Sequence, residues 1–270
     1  MEIHIPKTYH FEDFNIDQVN ELNVGRKGLS LFQMHHSDVP VPDFFVISPL
    51  VFSNYIEKVF KDKGEELLNK GIKLEYRDIH AAFMKKDFEK ELKEEIHKQY
   101  TKLSGFSDAW VSVRSSVCYP NNHNVSFSGV FSTKLNVRGI EHMLSAVKEI
   151  YAEYFSDQAI RYCVNEGVEI SEVKLAVVVQ KMIQPEVSGI AFTTDPITQN
   201  NSRMSVEAVY GLGDVISLGE LTPDMYALDK KNLTILEKHI APQEWMKIRT
   251  VGSNKLENSE KIQISPAWSH

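Results

Sequence analysis

A permanent cation and two hydroxyls stand together where the run Trp110-Val111-Ser112-Val113 ends in Arg114-Ser115-Ser116. An arginine presents a planar fork of donors that matches phosphate oxygens. Each such charge-assisted bond contributes about 1.5–3 kcal/mol. A second cation, Lys27, is flanked by Gly25 and Gly28 ahead of an apolar stretch. A lysine at a helix start can offer its ammonium and nearby backbone N–H groups to a phosphate. Its frame is not that of a P-loop, which needs Gly-Lys-Ser/Thr after a longer glycine spacing. Gly129 falls inside a β-like run from Val125 to Thr133, and a glycine in a strand pattern often marks close approach to the backbone. Each residue also has a plainer reading. Arg114 could form a surface ion pair beside an ordinary hairpin, and Lys27 could sit in a solvated turn.

Two further polar residues interrupt apolar runs. Gln180 ends the β-branched run that begins at Leu175. A buried amide needs partners, and either a ligand or the backbone can supply them. Glu207 lies in the alternating run Met204 to Tyr210, on one face with Ser205 and Val209. A carboxylate on a central strand is costly to bury unless it meets a cation or a metal ion.

The elements that must hold these residues can be read from periodicity. Residues 1–20 read as irregular. Val39-Pro40-Val41-Pro42-Asp43 is an extended entry into a buried strand, since residues before proline avoid the helical region. Ser48-Pro49 then opens a helix toward Phe60. Residues 61–104 are charge-rich and helical, with Phe88, Leu92 and Ile96 on one face and a solvated face opposite. Val111 and Val113 alternate with Ser112 and Arg114, the period of a strand, and Pro120 to Asn124 is a polar loop. Gly139 to Phe155 carries apolar residues at helical spacing, and Ser156 caps a second helix that Gly167 ends. His142, beside the first of these, reads as a surface residue. Leu175–Met182 reads as a buried strand. Further strands are expected over Ser188–Pro196, closed by an Asp195-Pro196 turn, over Met204–Tyr210, after Leu221, and at 233–240 and 261–265, with a turn at Gly252-Ser253-Asn254.

The bulk composition narrows the class. The chain has 270 residues, 42% hydrophobic and 25% charged, long enough for a proper core. A net charge of −7 argues against broad nucleic-acid binding, which needs a basic surface. It leaves room for one small cationic pocket. The two cysteines, Cys118 and Cys163, have no metal-ligand spacing and fit a reduced, cytoplasmic setting. No apolar run is long enough to cross a bilayer, and no signal-peptide pattern opens the chain.

Seven short motifs, in order, resemble the N-terminal nucleotide-binding domain of the phosphoenolpyruvate synthase and pyruvate phosphate dikinase family, which rifampin phosphotransferases share. Gly25-Arg26-Lys27-Gly28 resembles its Gly-Gly-Lys-Gly turn, and Pro40-Val41-Pro42-Asp43-Phe44 its Val-Pro-x-Gly-Phe. Val113-Arg114-Ser115-Ser116 matches Val-Arg-Ser-Ser, and Ser126-Phe127-Ser128-Gly129 stands for Ser-Phe-Ala-Gly. Val179-Gln180-Lys181-Met182 matches Val-Gln-x-Met. The stretches Ser188–Pro196 and Glu207–Asp214 resemble Ser-Gly-Val-Ala-Phe-Thr-x-Asp-Pro and Glu-Ala-x-x-Gly-Leu-Gly-Glu. The resemblance implies an α+β, ATP-grasp-like domain, with the nucleotide between two α/β subdomains. It also implies ATP and Mg2+ as cofactors. Residues 1–105 form the N-terminal part of that domain, and 106–270 its central strands and helices.

By position, the resemblance places Lys27 and Arg114 on the ATP phosphates as the catalytic cations, with Ser115 beside them. Gly129 lets backbone N–H groups near the phosphates, Gln180 lies near the base or ribose, and Glu207 is a polar or metal-side group. The implied partners are a phosphohistidine on a separate swivelling domain and a small-molecule acceptor, pyruvate or a hydroxyl compound. No nucleic acid and no membrane are implied. The departures are specific. Where the family has Ala-Thr-x-Glu-Asp, this chain has Val117-Cys118-Tyr119-Pro120-Asn121, so two acids give way to neutral groups. Arg26 replaces a glycine, and Val130 a glutamine. The family's acidic metal-binding strand is not found before His270, which suggests a fragment of a longer enzyme. The alternative is a non-catalytic nucleotide-binding or regulatory module.

Overall fold

Strands that are apolar at every position need cover on both faces, and the first half of the chain is built to supply it. The computed structural model describes residues 6–68, 75–105, 108–120, 125–196, 198–250 and 259–264. It separates into two units, Met1–Met182 and Ile183–His270. The strands of the first are β1 (Thr8–His10), β2 (Phe44–Ile47), β3 (Trp110–Cys118), β4 (Thr133–Arg138) and β5 (Lys174–Lys181). They form one antiparallel sheet in the order β1-β2-β5-β3-β4. Its helices are α1 (Glu21–His36), α2 (Pro49–Leu68), α3 (Tyr76–Lys85), α4 (Lys90–Ser104), α5 (Ile140–Glu153) and α6 (Asp157–Asn165).

Alternation divides the sheet's residues between two cores. On one face Phe44, Val46, Ala176, Val178 and Cys118 pack against Val24, Leu31 and Phe32 of α1. On the other, Phe52 and Tyr55 of α2 meet Tyr151 of α5 at centroid distances of 5.1 and 5.9 Å, and Tyr55 meets Phe83 of α3 at 5.6 Å. Phe88, Leu92 and Ile96 are all buried, as their spacing predicts. Tyr100 ties α4 to the sheet. Its hydroxyl donates to the Ala109 carbonyl at 2.6 Å and accepts from the Gly139 N–H at 2.9 Å.

The second unit holds β6 (Val187–Phe192), β7 (Arg203–Tyr210), the short helix α7 (Asp214–Ser217), β8 (Asp224–Asp229), β9 (Ile235–His239), β10 (Trp245–Arg249) and β11 (Ser259–Gln263). Strands β6 to β9 form an antiparallel sheet in chain order, and β10 pairs with β11. The Gly211-Leu212-Gly213 turn is pinned by the β10 backbone. The Leu212 N–H donates to the Lys247 carbonyl at 2.8 Å. A Cβ on Gly211 (φ +72°) would stand 2.3 Å from that oxygen, so only glycine fits.

Several expectations need correction. Val125–Thr133 is not a strand. Residues 128–130 form a turn, and β4 begins only at Thr133. The β-like pattern comes from Phe127, Val130 and Phe131, which are buried as a loop that packs on Tyr162 of α6. Residues 1–20 contain β1 and a 3-10 turn at Ile16–Gln18. The sequence pattern gives no strand at Trp245–Arg249, where the structure has β10. Strands β3 and β5 share a sheet with β1 and β2, so the first unit runs through residue 105 to Met182. The turn at 252–254 and residues Asn121–Asn124 of the polar loop lie outside the described residues. No helix among the described residues is long and apolar enough to cross a membrane.

Candidate functional site

The site is built where α1 crosses β3. Asn20 caps α1, accepting from the Leu22 and Asn23 N–H groups at 2.9 and 3.1 Å. The helix is then broken at Gly25, with φ +70° and ψ 171°. A Cβ there would lie 2.3 Å from the Ser116 Oγ and 2.5 Å from its carbonyl oxygen. Ser116 repairs the break. Its hydroxyl donates to the Val24 carbonyl at 2.9 Å and accepts from the Gly28 N–H at 3.1 Å. The two glycines around Lys27 therefore serve close packing of helix on strand, and Lys27 is carried on the first turn after the break.

Lys27 reaches along β3. Its Nζ donates to the Ser115 carbonyl at 2.8 Å and lies 3.4 Å from the Ser115 Oγ. Arg114, on the α1 side of β3, donates from Nη1 to the Gln180 Oε1 at 3.2 Å. The Gln180 Nε2 donates to the Pro42 carbonyl at 3.2 Å. Burial, and then the nearby Arg114 charge, pull the Lys27 ammonium down to about 8. Burial also lowers the Arg114 guanidinium from its ordinary value. Among the described residues, no carboxylate pairs with either cation.

The two cations line a cleft of about 420 Å3, with Arg26, Ser30, Ser126 and Ser128 as polar neighbours. Leu31, Met34, Val117 and Phe127 give it apolar walls. Two adjoining charges, desolvated and without a counter-charge, are what an anionic ligand offsets.

The structure brings together Lys27, Arg114, Ser115 and Gln180. Gly129 (φ +77°) lies one residue beyond the cleft wall, and its carbonyl accepts from Gln158 Nε2 at 3.0 Å. Glu207 lies in the second unit, half-buried on β7 between Ile190 and Met225. Gln180 has protein partners at both polar ends, one of them a backbone carbonyl. His142 is half-buried, with its Nδ1 2.9 Å from the Arg138 carbonyl. Sequence reading missed the Ser116 joint, and for Gln180 it left ligand and backbone open without pointing to the Pro42 carbonyl. Two glycines spaced for close packing were the available signal for the first. A backbone acceptor leaves no signal at all. Cys118 of β3 is a packing residue of the core against α1, and burial pushes its thiol up to about 12. Among the described residues, no cluster of three His, Cys, Asp or Glu could hold a metal ion, and no acidic side chain lines the cleft.

An α+β domain with a cleft of uncompensated cations is suited to binding anions. The chain belongs to the family of the pyruvate phosphate dikinase AMP/ATP-binding domain, whose model matches residues 21–267. It is 32% identical to a probable phosphoenolpyruvate synthase of Methanocaldococcus jannaschii, over 87% of this chain and 21% of that protein. It is 29% identical to a phosphoenolpyruvate synthase of Pyrococcus furiosus, over 91% of this chain and 36% of that protein. An uncharacterized phosphotransferase of Bacillus subtilis is 30% identical, over 88% of this chain and 27% of that protein. The chain thus spans between a fifth and somewhat over a third of these relatives.

Proposed function

We propose that the chain is the ATP-binding part of a phosphoenolpyruvate synthase-like phosphotransferase of ATP-grasp type. The observation that carries this reading is the Lys27–Arg114 pair, two half-buried cations side by side with no carboxylate partner among the described residues. In this reading both contact the polyphosphate of ATP, with Ser115 and the turn at Gly129 alongside. Phosphoryl transfer asks the protein for positioning and charge neutralisation more than for covalent chemistry, and the cleft supplies both. In this reading Mg2+ arrives on the nucleotide's phosphates, as it does where one or two carboxylates and the substrate share it. Glu207 is a polar or metal-side group for bound ATP, tested on its own by Glu207→Gln with Mg2+ titrated. The phosphoryl group passes to a histidine on a swivelling domain, and from there to pyruvate or another small hydroxyl-bearing acceptor, in a reduced cytoplasmic setting.

The test is a thermal melt with and without Mg2+-ATP, beside Arg114→Ala. Ligand at a hundred times its dissociation constant stabilises the fold by about 2.7 kcal/mol. The wild type should show that upward shift, and the variant should lose it. A variant that keeps the full shift removes ATP from this cleft. A second reading is favoured by one observation: neutral Pro120 and Asn121 stand where the family has acids. This is a nucleotide-binding module without turnover. Histidine phosphorylation by the complete protein decides between them, because the second reading allows binding but no transfer.

A further inference from the structure

We propose that Gln180 is the positioning residue of the Arg114 guanidinium, and that it acts on the nucleotide's phosphates through Arg114 instead of reading base or ribose. This rests on the nucleotide reading of the cleft. Gln180 is 6% exposed. Its Oε1 accepts from Arg114 Nη1 at 3.2 Å, and its Nε2 donates to the Pro42 carbonyl at 3.2 Å. A guanidinium only donates and a proline carbonyl only accepts, so the partners dictate which way the amide faces. Reversing it would set nitrogen against nitrogen and oxygen against oxygen. The amide keeps a second lone pair and a second N–H, but at 6% exposure it offers a base or ribose little surface from which to reach them.

The anchor itself is held. Pro42 leads into β2, the next carbonyl, Asp43, accepts from the Lys181 N–H at 2.9 Å, and Phe44 sits opposite Gln180 in the sheet. Gln180 lies opposite Ser112 of β3, and Arg114 opposite Val178 of β5. Both side chains therefore project from the same face, one diagonal step apart. A long arginine loses rotamer freedom when it is fixed. The amide fixes it before any ligand arrives, which lowers the cost of binding. An amide also leaves the charge intact. A carboxylate at this position would pair with Arg114 and cancel the charge that phosphates need, and its second oxygen would face the Pro42 carbonyl.

The experiment is calorimetric titration of the full chain with ATP, GTP and inorganic tripolyphosphate, for the wild type, Gln180→Met and Gln180→Glu. Tripolyphosphate carries the phosphates without base or ribose. Gln180→Met should weaken ATP and tripolyphosphate by the same factor, about tenfold, with the ATP-to-GTP ratio unchanged. Gln180→Glu should weaken tripolyphosphate at least as much. Loss of ATP affinity with tripolyphosphate unchanged, or a changed ATP-to-GTP ratio, would overturn the role, as would unchanged affinity for both probes. Should Gln180→Met not fold, the same comparison in Gln180→Glu decides: parallel losses support the role and an ATP-only loss overturns it. A wild type that binds neither ATP nor tripolyphosphate overturns the nucleotide reading, and this inference falls with it. A wild type that binds both, beside a variant that loses ATP alone, overturns only the role of Gln180.

Discussion

Lys27 is held where its charge is disfavoured, because burial and Arg114 both act against the ammonium. Its folded pKa, about 8, lies below the ordinary lysine value of 10.5. Below pH 8 the folded chain therefore carries the full penalty of a desolvated cation. As pH rises from 8 toward 10.5 the unfolded chain binds more protons than the folded one, and stability is regained. A polyphosphate beside Lys27 reverses the preference and raises the pKa again. Binding ATP at pH 8 should then take up about half a proton, and affinity should fall as pH rises above 8. Calorimetry in two buffers of different ionisation enthalpy reads the proton directly. Lys27→Met should abolish the uptake. Uptake that persists in that variant would assign the proton to another group.

At the scale of elements, the broken helix α1 and the strand β3 act as one joint, and Ser116 is its pin. Gly25→Ala forces a Cβ to within 2.3 Å of the Ser116 Oγ, at a φ of +70°. Backbone strain and overpacking together should destabilise the chain by about 3 kcal/mol, read as a lowered urea midpoint. A midpoint within experimental error of the wild type would mean that α1 slides freely on β3. The joint also shows why part of this site was legible in the sequence and part was not. Lys27 and Arg114 announce themselves as cations at the ends of apolar patterns, and α5 and β5 are long enough for periodicity to decide. The loop at 125–132 misled because its buried aromatics fall at intervals that imitate a strand, while its backbone joins no strand ladder before Thr133. A helical segment does start after Gly25, as the glycine-flanked lysine suggests, but the helical turn that precedes the break from Glu21 was not legible, because a glycine's φ is not written in its neighbours. The partner of the Gln180 amide was open for a similar reason, since a carbonyl as acceptor belongs to every residue alike.

For the whole molecule, the chain divides after Met182, and the groups that form the cationic cleft all precede that point. Lys27, Arg114, Gln180 and the anchoring Pro42 carbonyl belong to one sheet and the helix packed on it. That sheet is covered on both faces by helices from within the same unit, with Phe44, Val46 and Val178 buried toward α1 and Phe52 and Tyr151 in the opposite core. The second unit is built differently. Its β9 is exposed at every residue, and Ile235 and Leu236 are 58% and 43% exposed. A chain cut after Met182 should therefore fold cooperatively by itself, with a single urea transition. If the phosphates are held by the first unit alone, the cut chain should bind tripolyphosphate within about threefold of the full chain, because distant changes leave a site's contacts additive. ATP carries a base and ribose as well, so any extra loss seen with ATP but not with tripolyphosphate measures what residues after 182 add for the nucleoside. A cut chain that folds but loses tripolyphosphate would show that Lys27 and Arg114 are not sufficient, and would move the search for phosphate ligands to the second unit, with Glu207 as the first residue to test beside Mg2+.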